Sequence, residues 1–335
     1  MLQTEQHLDE YLTILQSINA DVQGRQIDRY YDTPKNRKQY QSHLNVFRAG
    51  NDFRERCMFG GNRTGKSHSG SVEMAYHLTG QYPGWWKGYR FTKPIRAWAA
   101  GETRDATRDI VQDKLLGAPH AIGQGMIPKE CIVQIRKRSG TPDAIDTVQV
   151  RHESGGISTL QFKSFAEGRE GFQGQRIDFI WLDEEPSMAI FQECLMRTAK
   201  TSDTEQPGRM LLTLTPMKGL SDVANHFLID GRMVEHGDRY ATQVGWDDIP
   251  HLSKKEKNEL MLSIPKHQRD ARSKGYPSLG AGAVYTYSED DLVCDAFKVQ
   301  PYYWGGYGMD VGWNATAAVF IRYDRDNKTY YVVDG

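Results

Sequence analysis

Four cysteines occur in the 335 residues, Cys57, Cys131, Cys194 and Cys294, and no two of them form a C-x-x-C pair. That spacing gives no zinc site and no disulfide framework, and it suits a reducing cytosol. No apolar run approaches the roughly 20 residues needed to span a bilayer. The stretch Leu2–Ile18 is polar and amphipathic rather than signal-like. The chain also lacks an excess of either charge: 42 Lys and Arg against 43 Asp and Glu leave a net charge of −1. Any contact with nucleic acid must therefore come from local patches rather than a global basic field. Neither an internal repeat nor a low-complexity tract is visible. The composition is globular, 39% hydrophobic and 25% charged, in a chain long enough for two domains.

The organising stretch is Met58-Phe59-Gly60-Gly61-Asn62-Arg63-Thr64-Gly65-Lys66-Ser67. It fits G-x-x-x-x-G-K-[ST], the phosphate-binding loop of nucleoside triphosphatases. Glycines let the backbone curl so that N–H groups of Gly60 through Ser67 cradle phosphate oxygens. Lys66 adds a point charge at the β- and γ-phosphates, and Ser67 offers a hydroxyl to Mg²⁺. Arg56–Phe59 reads as a short buried strand and Ser67–Leu78 as a helix ending at Gly80, so a phosphate would sit at a helix N-terminus.

A second signal is Ile177-Asp178-Phe179-Ile180-Trp181-Leu182-Asp183-Glu184. A continuous apolar run ending in two carboxylates is a buried strand that delivers both at its C-terminal end. Asp183 is then the partner of the Mg²⁺ held by Ser67, and Glu184 polarises the attacking water. Arg209–Thr215 is a further apolar strand whose end, Thr213-Leu214-Thr215-Pro216, either senses the γ-phosphate or simply runs into a proline turn.

Around these lie weaker features. Residues 1–25 read as a helix with Leu8, Leu12, Leu15 and Ile18 on one face. Asp28–Phe47 reads as a cap over the nucleotide base, with Gln39, Gln41 and His43 as candidates, or as a solvated basic helix. Pro83–Gly88 is an aromatic loop that binds something or pins itself to the core. Ile95–Ala100 reads as a strand and Arg104–Leu116 as a helix with Arg104 and Arg108 on one face. Residues 118–175 suggest an antiparallel extension of the sheet. Lys266–Lys274 is basic, either a DNA contact or a solvated face. Gly275–Gly282 looks like a linker. Beyond it, Gly306–Trp313, Ala317–Tyr323 and Thr329–Val333 read as three strands, with Asp310 inside the first. That is the way an RNase H-like nuclease begins.

Six segments, FGGNRTGKSHSG, GETRDATRDI, EGREGFQGQRIDFIWLDEEP, LTLTPMKGLSDV, GYPSLGAGAVY and GMDVGWN, resemble in order and spacing the large terminase subunit of tailed bacteriophages, in its P22-like branch. The resemblance runs over roughly residues 30–335. It implies an α/β fold: a P-loop NTPase of the ASCE type with a mostly parallel central sheet flanked by helices, followed by the first strands of an RNase H-like domain. The implied organisation is a motor domain over 1–275, a linker over 276–304 and the start of the nuclease over 305–335. Lys66 and Ser67 become the Walker A residues, Asp183 and Glu184 the Walker B residues, and Thr213 and Thr215 part of a coupling motif. Arg169 matches an arginine recurrent in the branch and is the first candidate to meet the γ-phosphate or a neighbour's nucleotide, with Arg63 and Arg104 behind it. His43 falls where the family often has an adenine-side glutamine. Asp310 matches the nuclease's first metal-binding Asp.

The same resemblance implies an ATP- and Mg²⁺-dependent motor that moves double-stranded DNA into a procapsid. Its implied partners are DNA, a portal protein and a small terminase subunit, in the host cytoplasm and without a membrane. A homo-oligomeric ring is implied for the active state, with a monomer in isolation left open. The family's nuclease extends well past the position of Gly335, so residues 283–335 are expected to be an incomplete nuclease, its two divalent metals belonging to a full-length protein. The rival readings are a helicase-like or DNA-repair P-loop ATPase, a small-molecule P-loop kinase, and a DNA-binding module with a vestigial nucleotide site.

Overall fold

The computed structural model describes residues 25–31, 33–201, 206–229, 232–233, 235–277, 293–311 and 316–334. The helix expected over residues 1–25 lies outside them apart from its last residue. The chain divides into two compact units, Met1–Thr286 and Tyr287–Gly335, each with its own sheet.

The strands run in chain order as β1 Glu55–Gly60, β2 Arg96–Gly101, β3 Ile132–Lys137, β4 Ile145–Arg151, β5 Ile157–Ser164, β6 Phe179–Asp183, β7 Arg209–Leu214, β8 Leu228–Ile229, β9 Arg232–Met233, β10 Glu235–His236 and β11 Arg239–Val244. Nine of them form one sheet in the order β10-β11-β1-β7-β6-β2-β5-β4-β3. From β11 to β5 the pairing is parallel, and β4 and β3 extend the sheet antiparallel. β1, β6 and β7 are buried at every position, as strands covered on both faces by helices and loops must be. Strand β7 lies between β1 and β6. Its register sets Thr213 beside Asp183 and Leu214 beside Phe59, so the phosphate loop and the acidic strand end open on one edge of the sheet. Ligands bind outside that edge in open parallel sheets.

The helix Lys66–Thr79 follows β1 and is buried over nearly its whole length. It ends at Gly80, whose φ of +74° closes the last turn through an N–H to the Tyr76 carbonyl. A helix buried all round must pair its polar side chains. Glu73 does so with Arg56 of β1 at 2.8 Å, both side chains fully buried, and His77 Nε2 lies 3.1 Å from the same carboxylate. Trp86 of the aromatic loop is buried against Phe47 and Tyr76, so this residue pins the loop to the core.

Two helical segments are wound irregularly, the first of them expected as a regular α-helix. The segment from Arg104 is α-helical only to Ala106, winds as a π-helix over Thr107–Gln112 and returns to α over Asp113–Leu116. The Thr107 hydroxyl lies 2.8 Å from the Thr103 carbonyl and 3.0 Å from that of Lys163, which sets the widened turn against β5. Arg104 and Arg108 therefore straddle a change of winding, and Arg108 pairs with Asp105 and Asp109. The basic run consists of a 3₁₀ turn, Lys266–Gln268, and a π-helical turn, Asp270–Lys274. Between β11 and this run stands the helix Lys254–Ser263, opened by a Ser253–Glu256 capping box.

In the second unit β12 Trp304–Val311, β13 Thr316–Asp324 and β14 Thr329–Asp334 form an antiparallel meander. The β13–β14 turn is held by Asp324, which accepts from Tyr303 Oη at 2.8 Å and Asn327 Nδ2 at 2.7 Å.

Candidate active site

The loop from Gly60 to Gly65 is gripped on its outer side. Gly61 N–H donates to the Val244 carbonyl at 2.9 Å and Asn62 N–H to the Arg272 carbonyl at 2.6 Å. Trp246 Nε1 donates to Asn62 O at 2.8 Å, and His251 Nε2 lies 2.8 Å from Arg63 O. His43 Nε2 meets Thr64 O at 3.0 Å. These bonds occupy the loop's outward polar groups. The following helix has no side-chain cap at its N-terminus, so its first N–H groups remain for an anion. Gly65 has φ +84°, and a Cβ there would stand 3.0 Å from the His43 ring, so this position favours glycine on both counts.

His43 is fully buried, and burial first of all pushes its pKa down to about 4. It is neutral near pH 7. Since a carbonyl only accepts, Nε2 carries the hydrogen towards Thr64 O, and Nδ1 accepts from the Tyr31 hydroxyl. With both ring nitrogens engaged, His43 buttresses the loop from beneath and does not face a base. Gln41 is exposed and bonds Asn45. The expectation that His43 contacts adenine is thus corrected. The same segment instead brings Tyr30 and Tyr40 to a cavity of about 370 Å³ beside Gly65, His68 and His251. There the rings of Tyr30 and His68 lie 4.5 Å apart and those of Tyr40 and His251 are stacked.

On the inner side, Lys66, Ser67, Asp183 and Glu184 line one cavity of about 700 Å³. Lys66 Nζ lies 3.4 Å from Glu184 Oε1, and Glu184 Oε2 accepts the Thr215 N–H at 3.0 Å. Glu184 has φ +77°, a conformation a non-glycine residue adopts only when its surroundings hold it there. Its own N–H donates to Thr213 O at 2.7 Å. Asp183 is 3% exposed. Burial first, and Glu184 second, push its carboxyl up to about 6 against the opposing effects of Thr213, Lys66 and Ser67. The Thr213 hydroxyl donates to Asp183 Oδ1 at 2.7 Å and accepts from Trp181 Nε1 at 2.8 Å.

That relay depends on the helix above it. A Cβ on Gly70 would fall 2.8 Å from Trp181 Cζ2 and closer still to Nε1 and Cε2. Gly70→Ala is expected to destabilise the protein by about 1–3 kcal/mol through overpacking, despite the ~1 kcal/mol that alanine adds to a helix interior. It should also slow nucleotide turnover by loosening Asp183. Thermal melting checks this, and an unchanged melting temperature would contradict it.

A family model described as "Terminase large subunit, T4likevirus-type, N-terminal" matches residues 57–290, which contain every element of this cavity. This chain belongs to the terminase large-subunit family. It is 31% identical to the terminase large subunit of Salmonella phage P22 over 97% of its own length, spanning 66%, just under two thirds, of that relative. The terminase large subunit of Enterobacteria phage LP7 matches at 26% identity over 48% of the chain and 32% of the relative. Among solved structures, the large terminase from a thermophilic bacteriophage is similar in fold, with a TM-score of 0.53 at 15% identity over 89% of this chain and 68% of that one.

Within this terminase chain the other nominated residues are dispersed. Arg169 does not line the cavity. It sits on a 3₁₀ turn after β5, 58% exposed, with Nε 3.1 Å from Glu193 Oε2. β5 stands four strands from β1 in the sheet and two from β6, whose end carries Asp183. Arg63 is exposed and lines the cavity mouth. Asp310 is exposed on β12 opposite Ala317. Among the described residues no group of three or more His, Cys, Asp or Glu side chains is placed to hold a metal ion. The donor set at Ser67 and Asp183 still fits magnesium, which commonly takes one or two protein ligands and fills its remaining positions with water and phosphate.

Trp181 and Arg272 escape sequence reasoning. Trp181 reads only as core within its apolar strand. The basic run holding Arg272 gives no local sign that β11, lying next to β1, returns the chain to the loop.

Proposed function

We propose that this chain is the ATP-hydrolysing part of a DNA-packaging motor. The observation that carries the reading is the Lys66–Glu184 contact inside one cavity with Ser67 and the buried Asp183. Lys66 and the open N-terminus of its helix bind the inner phosphates. Magnesium, when bound at Ser67 and Asp183, neutralises phosphate charge and orients the triphosphate. Glu184, fixed by Thr215 and its left-handed backbone, accepts the proton of the attacking water. Before nucleotide arrives its carboxylate neighbours Lys66, and a triphosphate that draws Lys66 away frees that oxygen for water. The base lies in the cavity formed by Tyr30, Tyr40, His68 and His251, which offers aromatic faces for stacking.

Thr213 and Thr215 touch both carboxylates, so a change at the γ-phosphate reaches β7 and the chain that follows it. In this reading the motor moves double-stranded DNA, meets a portal protein and a small terminase subunit in the host cytoplasm, and works as a homo-oligomeric ring. Arg169 serves the neighbouring subunit's nucleotide. Asp310 is the first carboxylate of a nuclease-type metal site, following a motor domain over 1–275 and a linker over 276–304.

Phosphate release measured against protein concentration, with duplex or single-stranded DNA, tests this function. A rate per subunit that climbs with concentration and with duplex DNA is expected. Stimulation by single strands with strand separation would favour a helicase-like ATPase instead.

A further inference from the structure

Arg272 lies on the π-helical turn Asp270–Lys274, and two sets of bonds fix it. Its carbonyl accepts the Asn62 N–H of the phosphate loop at 2.6 Å, so the backbone at Arg272 moves with that loop. Its Nε donates to Gln268 Oε1 at 2.8 Å, which orients the guanidinium, and among the described residues no carboxylate pairs with it. The half-buried side chain lines the cavity that also holds Lys66, Ser67, Asp183 and Glu184. A cation beside a set of catalytic carboxylates that pairs with neither is available for a ligand anion.

We propose that Arg272 binds the terminal phosphoryl group of the nucleotide from its own chain and is the residue by which the site tells a triphosphate from a diphosphate. The proposal rests on the nucleotide-hydrolysis reading above. The helix N-terminus and Lys66 serve the phosphates nearest the loop, and Glu184 occupies the side from which water attacks. Gln268 and Arg272 line another part of the same cavity, where the terminal oxygens would lie. A guanidinium suits that task because its planar fork gives two parallel hydrogen bonds to phosphate oxygens, which a lysine cannot. The Asn62–Arg272 backbone bond survives any side-chain replacement, so loop support and phosphate recognition are separable at this residue.

The test is titration calorimetry on the full chain with Mg²⁺, comparing a non-hydrolysable ATP analogue and ADP for wild type, Arg272→Ala, Arg272→Lys, Gln268→Ala and Lys66→Ala. Arg272→Ala should weaken the analogue about 10- to 100-fold, the loss expected for a charge-assisted hydrogen bond, and change ADP affinity less than about 2-fold. Retained ADP binding also shows that the variant folds. Arg272→Lys should recover part of the loss, and Gln268→Ala should weaken the analogue less than Arg272→Ala. Equal losses for the two nucleotides, or no loss for the analogue, would overturn the assignment. If Lys66→Ala abolishes binding while Arg272→Ala binds like wild type, the Arg272 assignment alone falls. If wild type and Lys66→Ala bind neither nucleotide, the nucleotide reading itself has failed.

Discussion

Glu184→Gln should bind ATP at least as tightly as wild type and turn it over about 10²–10⁴ times more slowly, the range set by loss of a general base. Glutamine is isosteric, so it keeps the bond from Thr215 N–H to its side-chain oxygen and the left-handed backbone at position 184. It cannot accept the water's proton at neutral pH. Binding should not suffer, because the substitution removes a negative charge from the cavity and releases Lys66 from a partner 3.4 Å away. Pre-steady-state phosphate release and analogue titration separate the two effects. Turnover at the wild-type rate would remove Glu184 from the chemistry.

Asp183→Asn should make the metal-free protein more stable while abolishing Mg²⁺-dependent hydrolysis. Burial pushes the Asp183 carboxyl up to about 6 from an ordinary 3.8, so the native state holds this proton more tightly than the unfolded chain. Its favourable contribution is complete below about pH 3.8 and is lost as pH rises through about 6. At pH 7 the ionised group costs on the order of 2–3 kcal/mol, and asparagine, neutral throughout, removes that cost while still accepting from Thr213. A rise of several degrees in melting temperature is expected at pH 7, shrinking towards zero near pH 4. Added Mg²⁺ and nucleotide should stabilise wild type more than Asp183→Asn. A lower melting temperature for the variant at pH 7 without metal would contradict this account. Sites that must bind a cation commonly carry such a local cost in stability.

The phosphate loop and the acidic strand end are legible in the sequence because each is a local pattern whose spacing has one mechanical use. A run such as Phe179–Asp183 reads as a buried strand from its unbroken apolar pattern. The antiparallel strands β3 and β4 are legible from alternation and turns. The features that stay hidden depend on strand order. The return of the chain from β11 to the loop and the place of Arg272 in the cavity both arise because β11 pairs with β1. No local window of sequence contains that fact. That Arg169 does not line this cavity is hidden for the same reason, since resemblance gives a residue's neighbours along the chain and not its distance across the sheet. The π-helical turns have no visible cue, because the Thr107 hydroxyl contact that sets the first of them against β5 reaches a strand 56 residues away.

The most direct test of the shared ATP site is steady-state phosphate release from ATP by the full chain in Mg²⁺, with Lys66→Ala measured at the same concentration. Mg²⁺-dependent release by wild type and none above background by Lys66→Ala is the predicted result. Equal release by the two proteins would show that the cavity bounded by Lys66, Ser67, Asp183 and Glu184 is not where ATP is split.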